Sequence, residues 1–224
     1  MQIIVVLLLF PLLVLALVVR IFLFQPFNSP SMSMAPTLVV GDRYFVAKYA
    51  YGYSRYSFPL NIKLLSGRAF AQSPEYGDIV VFRLPNDVRA DYIKRVVGLP
   101  GDRIQMKAGR LFINGQAVRR APMPDLVGVD ACGGGSAPVK RWYEWLPNHV
   151  SYSTLDCVDN GFYDDTIEYV VPAGHYFMMG DNRDNSTDSR VLSQVGYIPF
   201  ENLVGRFALK YATAEDMRRS RYPR

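Results

Sequence analysis

The stretch "DYIKRVVGLPGDRI", residues 91–104, predicts a β-strand, a tight turn and a second strand. Val, Ile and Tyr are favoured in pleated strands, whereas the Pro-Gly-Asp at 100–102 marks a turn. In an extended chain Tyr92 and Lys94 point to one side and Ile93 and Arg95 to the other. The stretch therefore predicts a β domain. Lys94 has apolar neighbours in sequence, but by itself a single lysine in a strand is more often exposed to solvent.

Short runs rich in Val, Ile, Tyr and Phe occur on both sides of residues 91–104. "NG" at 114–115 lies between two apolar arms, which is a strong hairpin signal. Nothing beyond the N-terminus shows a long helical period, so the fold class is mainly β, an antiparallel domain with irregular loops. Residues 119–166 are polar and contain "CGGGSAP", which predicts an insertion. The other predicted strands are "DRYFVAKYAY" (42–51), "DIVVFRL" (78–84), "RLFING" (110–115), "EYVVP" (168–172) and "HYFMMG" (175–180).

The N-terminus predicts a membrane anchor. Residues 1–19 carry no charged side chain, and the apolar run continues past Arg20 to Phe24. About 20 helical residues cross a bilayer. We therefore expect one transmembrane helix within 1–24, followed by a β-rich catalytic domain at 25–224. A cleaved secretory signal is the alternative, but no basic N-terminal region and no nearby cleavage site support it. Charge alone leaves the orientation open, because large domains translocate largely regardless of charge.

The net charge of +5 does not indicate nucleic acid binding. The basic residues are dispersed, apart from "RRSRYPR" at 218–224, and no nucleic-acid-binding motif accompanies them. Cys132 and Cys157 lie within the predicted insertion. A disulfide between them fits an oxidising compartment, and two free thiols are the alternative.

The chemistry-bearing residues are few. His149 and His175 are the only histidines, and neither lies in a pattern typical of a catalytic triad. The cysteines and histidines lack zinc-ligand spacing, and no phosphate-binding glycine loop is present, so no metal or cofactor is expected. A lysine is a possible base only if burial lowers its pKa from about 10.4, because an ammonium cannot accept a proton.

Four motifs occur in order after the apolar N-terminus. They are "PSMSMAPTL" (30–38), "GDIVVF" (77–82), "YIKRVVGLPGD" (92–102) and "GDNRDNSTDSR" (180–190). Together they resemble bacterial type I signal peptidases, from about Arg20 to Tyr211 without the insertion. The last motif is the most specific, whereas "SMAPTL" alone is weak.

The resemblance implies a Ser-Lys dyad, with Ser33 as nucleophile and Lys94 as general base. It implies that Ser31 helps to form the oxyanion hole and that Ser186 orients the lysine. Met32 stands where the family often has glycine, which removes no catalytic group. Structural support is expected from Arg95, Asp188, Arg190 and Gly180, the last by allowing a close backbone approach. By the same resemblance Ser29, Pro30, Met34, Leu38, Tyr92 and Ile93 line the substrate pockets, and Asp91 contacts the substrate backbone.

The function implied is that of a serine endopeptidase that removes signal peptides from exported preproteins after a small-x-small site, such as Ala-x-Ala. It would be anchored in the plasma (inner) membrane by a single span, with its catalytic domain on the periplasmic side. The expected partners are preprotein signal peptides and the lipid bilayer, without nucleic acid. One alternative is a conjugation-associated maturation peptidase with a dedicated substrate. The other is a non-catalytic, membrane-anchored binding protein. A cytoplasmic self-cleaving repressor would need a DNA-binding domain at the N-terminus.

Overall fold

The computed structural model describes residues 2–58, 67–135 and 137–213. Within these ranges fourteen strands form three sheets, and the strand pairs within each sheet are antiparallel. The prediction of a mainly β, antiparallel fold is thereby confirmed. The basic stretch at 218–224 lies outside the described residues.

The largest sheet has seven strands and carries the predicted motifs. In spatial order these strands are β1 (Phe24–Asn28), β2 (Arg43–Ala47), β14 (Leu203–Ala212), β3 (Ile79–Arg83), β4 (Asp91–Gly98), β12 (His175–Met179) and β13 (Ile198–Pro199). Strands β3 and β4 pair with Val80 opposite Lys94. Strand β4 alternates as predicted, because Ile93 packs beside Met34 and Leu38 while Tyr92 contacts the cluster around Phe82.

Two smaller sheets complete the β structure. The four-stranded sheet has the order β11 (Tyr169–Val170), β5 (Arg103–Lys107), β6 (Arg110–Ile113) and β7 (Gln116–Ala117). Asn114 and Gly115 connect β6 to β7, both at positive φ, as the predicted hairpin turn requires. The three-stranded sheet has the order β10 (Ser151–Asp156), β9 (Val139–Trp145) and β8 (Arg119–Leu126). It is formed by residues that the sequence assigned to the insertion.

Helical structure is concentrated at the N-terminus. Helix α1 spans Gln2–Val18 and continues into a π-helical turn at Val19–Leu23. Among the described residues, short 3₁₀ turns occupy Lys48–Tyr51, Arg55–Ser57 and Phe200–Asn202. In the described part of the chain, no helix is long and apolar enough to cross a membrane. The expected transmembrane helix within 1–24 is thus not supported by the described residues, which form a 17-residue α-helix and a π turn, with strand β1 already beginning at Phe24.

The apolar core positions the serine-rich segment. Met34 and Leu38 are buried against Tyr44, Val81 and Ile93 of the large sheet. Since burying side chains of this size contributes about 1.5–3 kcal/mol each, they fix the segment onto the sheet. The loop that joins β1 to β2 is thus held against β4.

Candidate active site

The loop between β1 and β2 is held by backbone hydrogen bonds at its two ends. The Ser29 N–H donates to the Asp42 carbonyl at 2.8 Å, and the Gly41 N–H donates to the Ser29 carbonyl at 3.0 Å. The buried Asp42 carboxylate accepts the Val39 N–H at 3.0 Å. Because both ends of the loop are hydrogen-bonded, Ser33 between them is held in a defined position.

Ser33 and Lys94 meet inside this part of the structure. Lys94 Nζ lies 2.7 Å from Ser33 Oγ and also donates to the Ile93 carbonyl at 3.0 Å. The hydroxyl oxygens of Ser31 and Ser33 are 3.1 Å apart. Ser33 is 6% exposed and Lys94 4% exposed. A hydroxyl, an amine and a second hydroxyl are therefore in mutual contact and largely shielded from water.

Burial changes the proton affinity of the lysine. Removing its ammonium from water lowers the pKa of Lys94 from 10.5 to about 8. The carboxylates of Asp188 and Asp181 oppose this lowering, whereas the Arg190 guanidinium adds to it. At neutral pH an appreciable fraction of Lys94 is then the free amine, which is the form that can accept a proton.

Asp188 is paired with arginine rather than with the lysine. Arg190 donates to both carboxylate oxygens of Asp188, at 2.8 and 2.9 Å, and the Gly180 N–H donates at 3.0 Å. Burial alone would raise the pKa of Asp188, but Arg190 and these hydrogen bonds hold it below its ordinary value. Its charge is thus partly compensated, and its opposition to the lowering of the Lys94 pKa does not outweigh the effect of burial.

Gly180 permits a close approach between the end of β12 and the serine loop. A Cβ at this position would lie 2.3 Å from Ser186 Oγ and 2.5 Å from the Ser33 carbonyl oxygen. The Asn182 N–H donates to the same carbonyl at 3.1 Å. Any larger residue at 180 would displace Ser33 or Ser186.

Ser186 lies in the site, but its hydroxyl does not make the expected contact with the lysine. It is buried and lines the same cleft, but no hydrogen bond joins its hydroxyl to Lys94 among the described residues. The hydroxyl has no hydrogen-bond partner among the described residues. The residue expected from the resemblance thus lies in the cleft, whereas the expected hydrogen bond to the lysine is not formed.

Arg95 belongs to a second ion pair, separate from Asp188. It donates to the two oxygens of Asp181 at 2.8 and 2.7 Å and to the Gly77 carbonyl at 2.8 Å. Thr37, on the serine loop, also donates to Asp181. The sequence analysis grouped Arg95 with Asp188 and missed Asp181 and Thr37. The position of Asp181 beside Gly180, at the start of the most specific motif, was the available signal.

The insertion contributes to this network. The Arg95 guanidinium stacks over the Tyr152 ring at 4.1 Å, and Tyr152 donates to Glu144 at 3.0 Å. Glu144 also accepts from Arg183 of the last motif. Glu144 and Tyr152 lie in β9 and β10, and nothing local in the sequence identified them. The three-stranded sheet therefore packs directly against the buried charges behind the site.

A cleft of about 710 Å³ opens over Ser33 and Lys94. Of the predicted residues, it is lined by Pro30, Ser31, Ser33, Asp91, Tyr92, Ile93, Lys94 and Ser186. The lining residues that were not predicted are Phe27, Asn28, Tyr44, Val81, Tyr163, Asp184, Asn185 and Thr187. Ser29, Met34 and Leu38 do not line it. Met34 and Leu38 face the core instead, and the Ser29 hydroxyl donates to the Ser31 carbonyl at 3.2 Å. Packing of the two apolar side chains into the core and the local hydrogen bond of Ser29, which residue spacing does not reveal, take these three residues out of the cleft lining.

The remaining candidates lie away from the cleft. Cys132 and Cys157 form a disulfide with Cα atoms 5.9 Å apart. Asp184 accepts the N–H groups of Cys157 and Val158, which ties the disulfide segment to the wall of the cleft. Neither His149 nor His175 lines the cleft. Among the described residues, no cluster of three possible metal ligands occurs.

Comparison with known proteins agrees with the motifs. The signal peptidase family, peptidase S26, matches residues 2–212. Signal peptidase I of Rickettsia typhi (strain ATCC VR-144 / Wilmington) is 42% identical over 199 residues, covering 85% of this chain and 73% of that protein. Signal peptidase I of Rickettsia prowazekii (strain Madrid E) is 41% identical with the same coverage. A crystal structure of a signal peptidase I from Enterococcus faecalis V583 is 23% identical, with a TM-score of 0.35, and covers 61% of this chain and 98% of that one. The resemblance inferred from the motifs is confirmed, and the chain belongs to the signal peptidase family, peptidase S26.

Proposed function

We propose that this protein removes signal peptides from exported preproteins by cleaving after a small-x-small site, with Ser33 as nucleophile and neutral Lys94 as general base. The contact of 2.7 Å between Lys94 Nζ and Ser33 Oγ carries the proposal. It is supported by the lowered pKa of Lys94, without which the amine would be protonated. A base within hydrogen-bond reach of its nucleophile is the arrangement that such catalysis requires.

In the first half-reaction, the Lys94 amine takes the hydroxyl proton as Ser33 Oγ attacks the scissile carbonyl carbon. The new C–O bond moves the carbonyl electron pair onto oxygen, and the Ser31 hydroxyl and the Ser33 N–H are proposed to stabilise it. The ammonium then gives its proton to the leaving amine, and the C–N bond breaks. Water, deprotonated by the same lysine, hydrolyses the acyl-enzyme and restores Ser33.

The cleft provides the basis for selectivity. A substrate segment bound in extended form points its first and third residues before the cut to the same face. Tyr92, Ile93 and Pro30 line the cleft close to Ser33, which leaves space for small side chains at these two positions. Asp91, at the start of β4, is exposed to the same cleft and is proposed to contact the substrate backbone.

The proposed enzyme is attached to the plasma (inner) membrane through residues 1–24, with the catalytic domain at 25–224 on the periplasmic side. Two observations support this. The described side chains of α1 expose a run of large apolar groups to solvent, including Phe10, Leu12, Leu13 and Leu15, which is typical of a surface that contacts lipid. The disulfide is typical of an oxidising compartment.

The test uses the full-length protein in detergent with a soluble peptide that contains one Ala-x-Ala site. Mass spectrometry should find a single cut after the second alanine. The matched peptide with leucine in place of both alanines should be cut at least about 100-fold more slowly, and Ser33→Ala should be inactive on both. A set of unrelated exported precursors, supplied in parallel, should also be processed. Cleavage of only one precursor would favour the dedicated maturation peptidase, and no cleavage would favour the binding protein.

A further inference from the structure

A second cavity, of about 290 Å³, lies where the N-terminal helix meets the β domain. Leu17 and Ile21 supply an apolar wall, while Arg20, Lys48 and Arg83 supply three cations. The one carboxylate among its lining residues is Asp91, which pairs with Arg83 at 3.3 Å. Neither Ser33 nor Lys94 lines this cavity, and Asp91 is the one lining residue that it shares with the proposed catalytic cleft.

Lys48 is the unusual member of this group. It is only 2% exposed, and in the described part of the chain it takes part in none of the ion pairs. Burial first, and then the repulsion of Arg20 and Arg83, lower its pKa to about 8. At neutral pH it is still mostly an ammonium. Buried charges are normally paired, but among the described residues Lys48 has no ion-pair partner.

We propose that this cavity binds the phosphate group of an anionic membrane phospholipid, an inference that rests on the proposed attachment to the membrane. A guanidinium holds phosphate oxygens through paired N–H donors, and an ammonium adds a compact point charge. Three cations against one already paired carboxylate leave a net positive site. A cavity of this volume holds a headgroup rather than a folded partner.

The surroundings favour a lipid over free phosphate. The apolar wall continues into the exposed apolar face of α1, along which acyl chains would lie. Tyr53 donates to the Phe22 carbonyl at 2.9 Å, and Phe22 packs edge-on against Tyr53 and Phe58. Exposed tyrosines near a membrane lie at the level of the headgroups, and Tyr49 is such a residue, packed against Phe24. The cations are therefore placed where a bilayer presents its phosphates.

The experiment titrates the full-length protein, in neutral detergent, with dioleoylphosphatidylglycerol and counts bound lipid by native mass spectrometry. We expect one saturable lipid per protein. The variant Lys48→Met combined with Arg20→Gln should bind about 25-fold more weakly, since each basic group near a lipid phosphate contributes about fivefold. The matched control combines Lys107→Gln with Arg89→Gln, which removes the same charge from exposed positions. It should bind within about twofold of the wild type.

Arg20→Gln alone, at an exposed position, should still weaken binding about fivefold and does not depend on repacking the core. Equal losses in the double variant and its control would overturn the proposal, because only overall charge would then matter. Equal binding of phosphatidylcholine, or displacement of the lipid by millimolar inorganic phosphate, would overturn it too. Cleavage of the soluble Ala-x-Ala peptide without lipid tests the proposed function separately, and neither result depends on the other.

Discussion

The protonation of Lys94 gives the most demanding test of the proposed mechanism. The pKa of Lys94 is lowered from 10.5 to about 8, chiefly by burial. At pH 7 about one lysine in ten is then neutral, against about 0.03% for an ordinary lysine. The difference is about 300-fold in the concentration of the active base. It corresponds to about 3 kcal/mol that the fold supplies by keeping the ammonium from water.

The assay is kcat/KM for a soluble small-x-small peptide between pH 5 and pH 11. The rate should rise about tenfold per pH unit up to pH 8 and then level off. Lys94→Arg should be inactive throughout, because a guanidinium is effectively never deprotonated. A rate still rising past pH 10, or an active Lys94→Arg enzyme, would show that Lys94 is not the base.

The pH dependence of the free energy of unfolding gives an independent measurement of the lowered pKa of Lys94. Because the folded pKa lies below the unfolded one, the unfolded state binds more protons between about pH 8 and 10.5, so stability rises with pH in that window. Below pH 8 the cost of the buried ammonium is fully present. Lys94→Met should therefore stabilise the protein at pH 7 by up to about 3 kcal/mol, with the advantage gone above pH 10.5. A destabilised variant with no such pH dependence would refute the reasoning.

Four further predictions concern other parts of the molecule. Ser33→Ala and Lys94→Met should each abolish peptide cleavage, and the double variant should be no worse than either, since the two groups act as one unit. Gly180→Ala should cost about 1–3 kcal/mol in denaturant unfolding and reduce kcat at least about 100-fold, because its Cβ would displace Ser186 or Ser33; normal turnover would contradict the geometry. Replacing His149 and His175 with glutamine should leave kcat/KM within about tenfold, whereas a much larger loss in a folded protein would revive a histidine-dependent mechanism. Protein isolated from the cell envelope without reductant should show no reactive thiol, and reduction should lower its stability by about 3 kcal/mol for a loop of 25 residues; two labelled cysteines would rule out the disulfide there.

Local sequence was informative wherever structure depends on neighbouring residues. The alternation in "DYIKRVV" predicted which sides Tyr92 and Ile93 take, since side chains of a strand alternate whatever lies around them. Asn114-Gly115 predicted a tight hairpin because both residues tolerate the positive φ that the turn needs. The motifs also predicted the family, which the comparisons confirm.

Contacts between segments that are far apart in the chain were harder to predict from the sequence. Met34 and Leu38 were expected in the cleft, but they pack into the core with residues of the large sheet. Asp181 was missed as the partner of Arg95, 86 positions away along the chain, and Glu144 was missed because it belongs to the insertion. A register or an ion pair between remote strands depends on the whole topology, which no local pattern contains.

The sequence by itself determined the antiparallel β class, the family and the residues proposed to carry the chemistry, because strand alternation, turn residues and motif order are local properties. Only the tertiary structure decided that the Lys94 amine lies 2.7 Å from the Ser33 hydroxyl and is shielded enough for its pKa to fall to about 8. It also decided that Lys48 is buried beside two further cations without an ion-pair partner in the described residues. The reason is that desolvation and charge pairing depend on what surrounds a group in three dimensions, and those neighbours come from segments far apart in the chain.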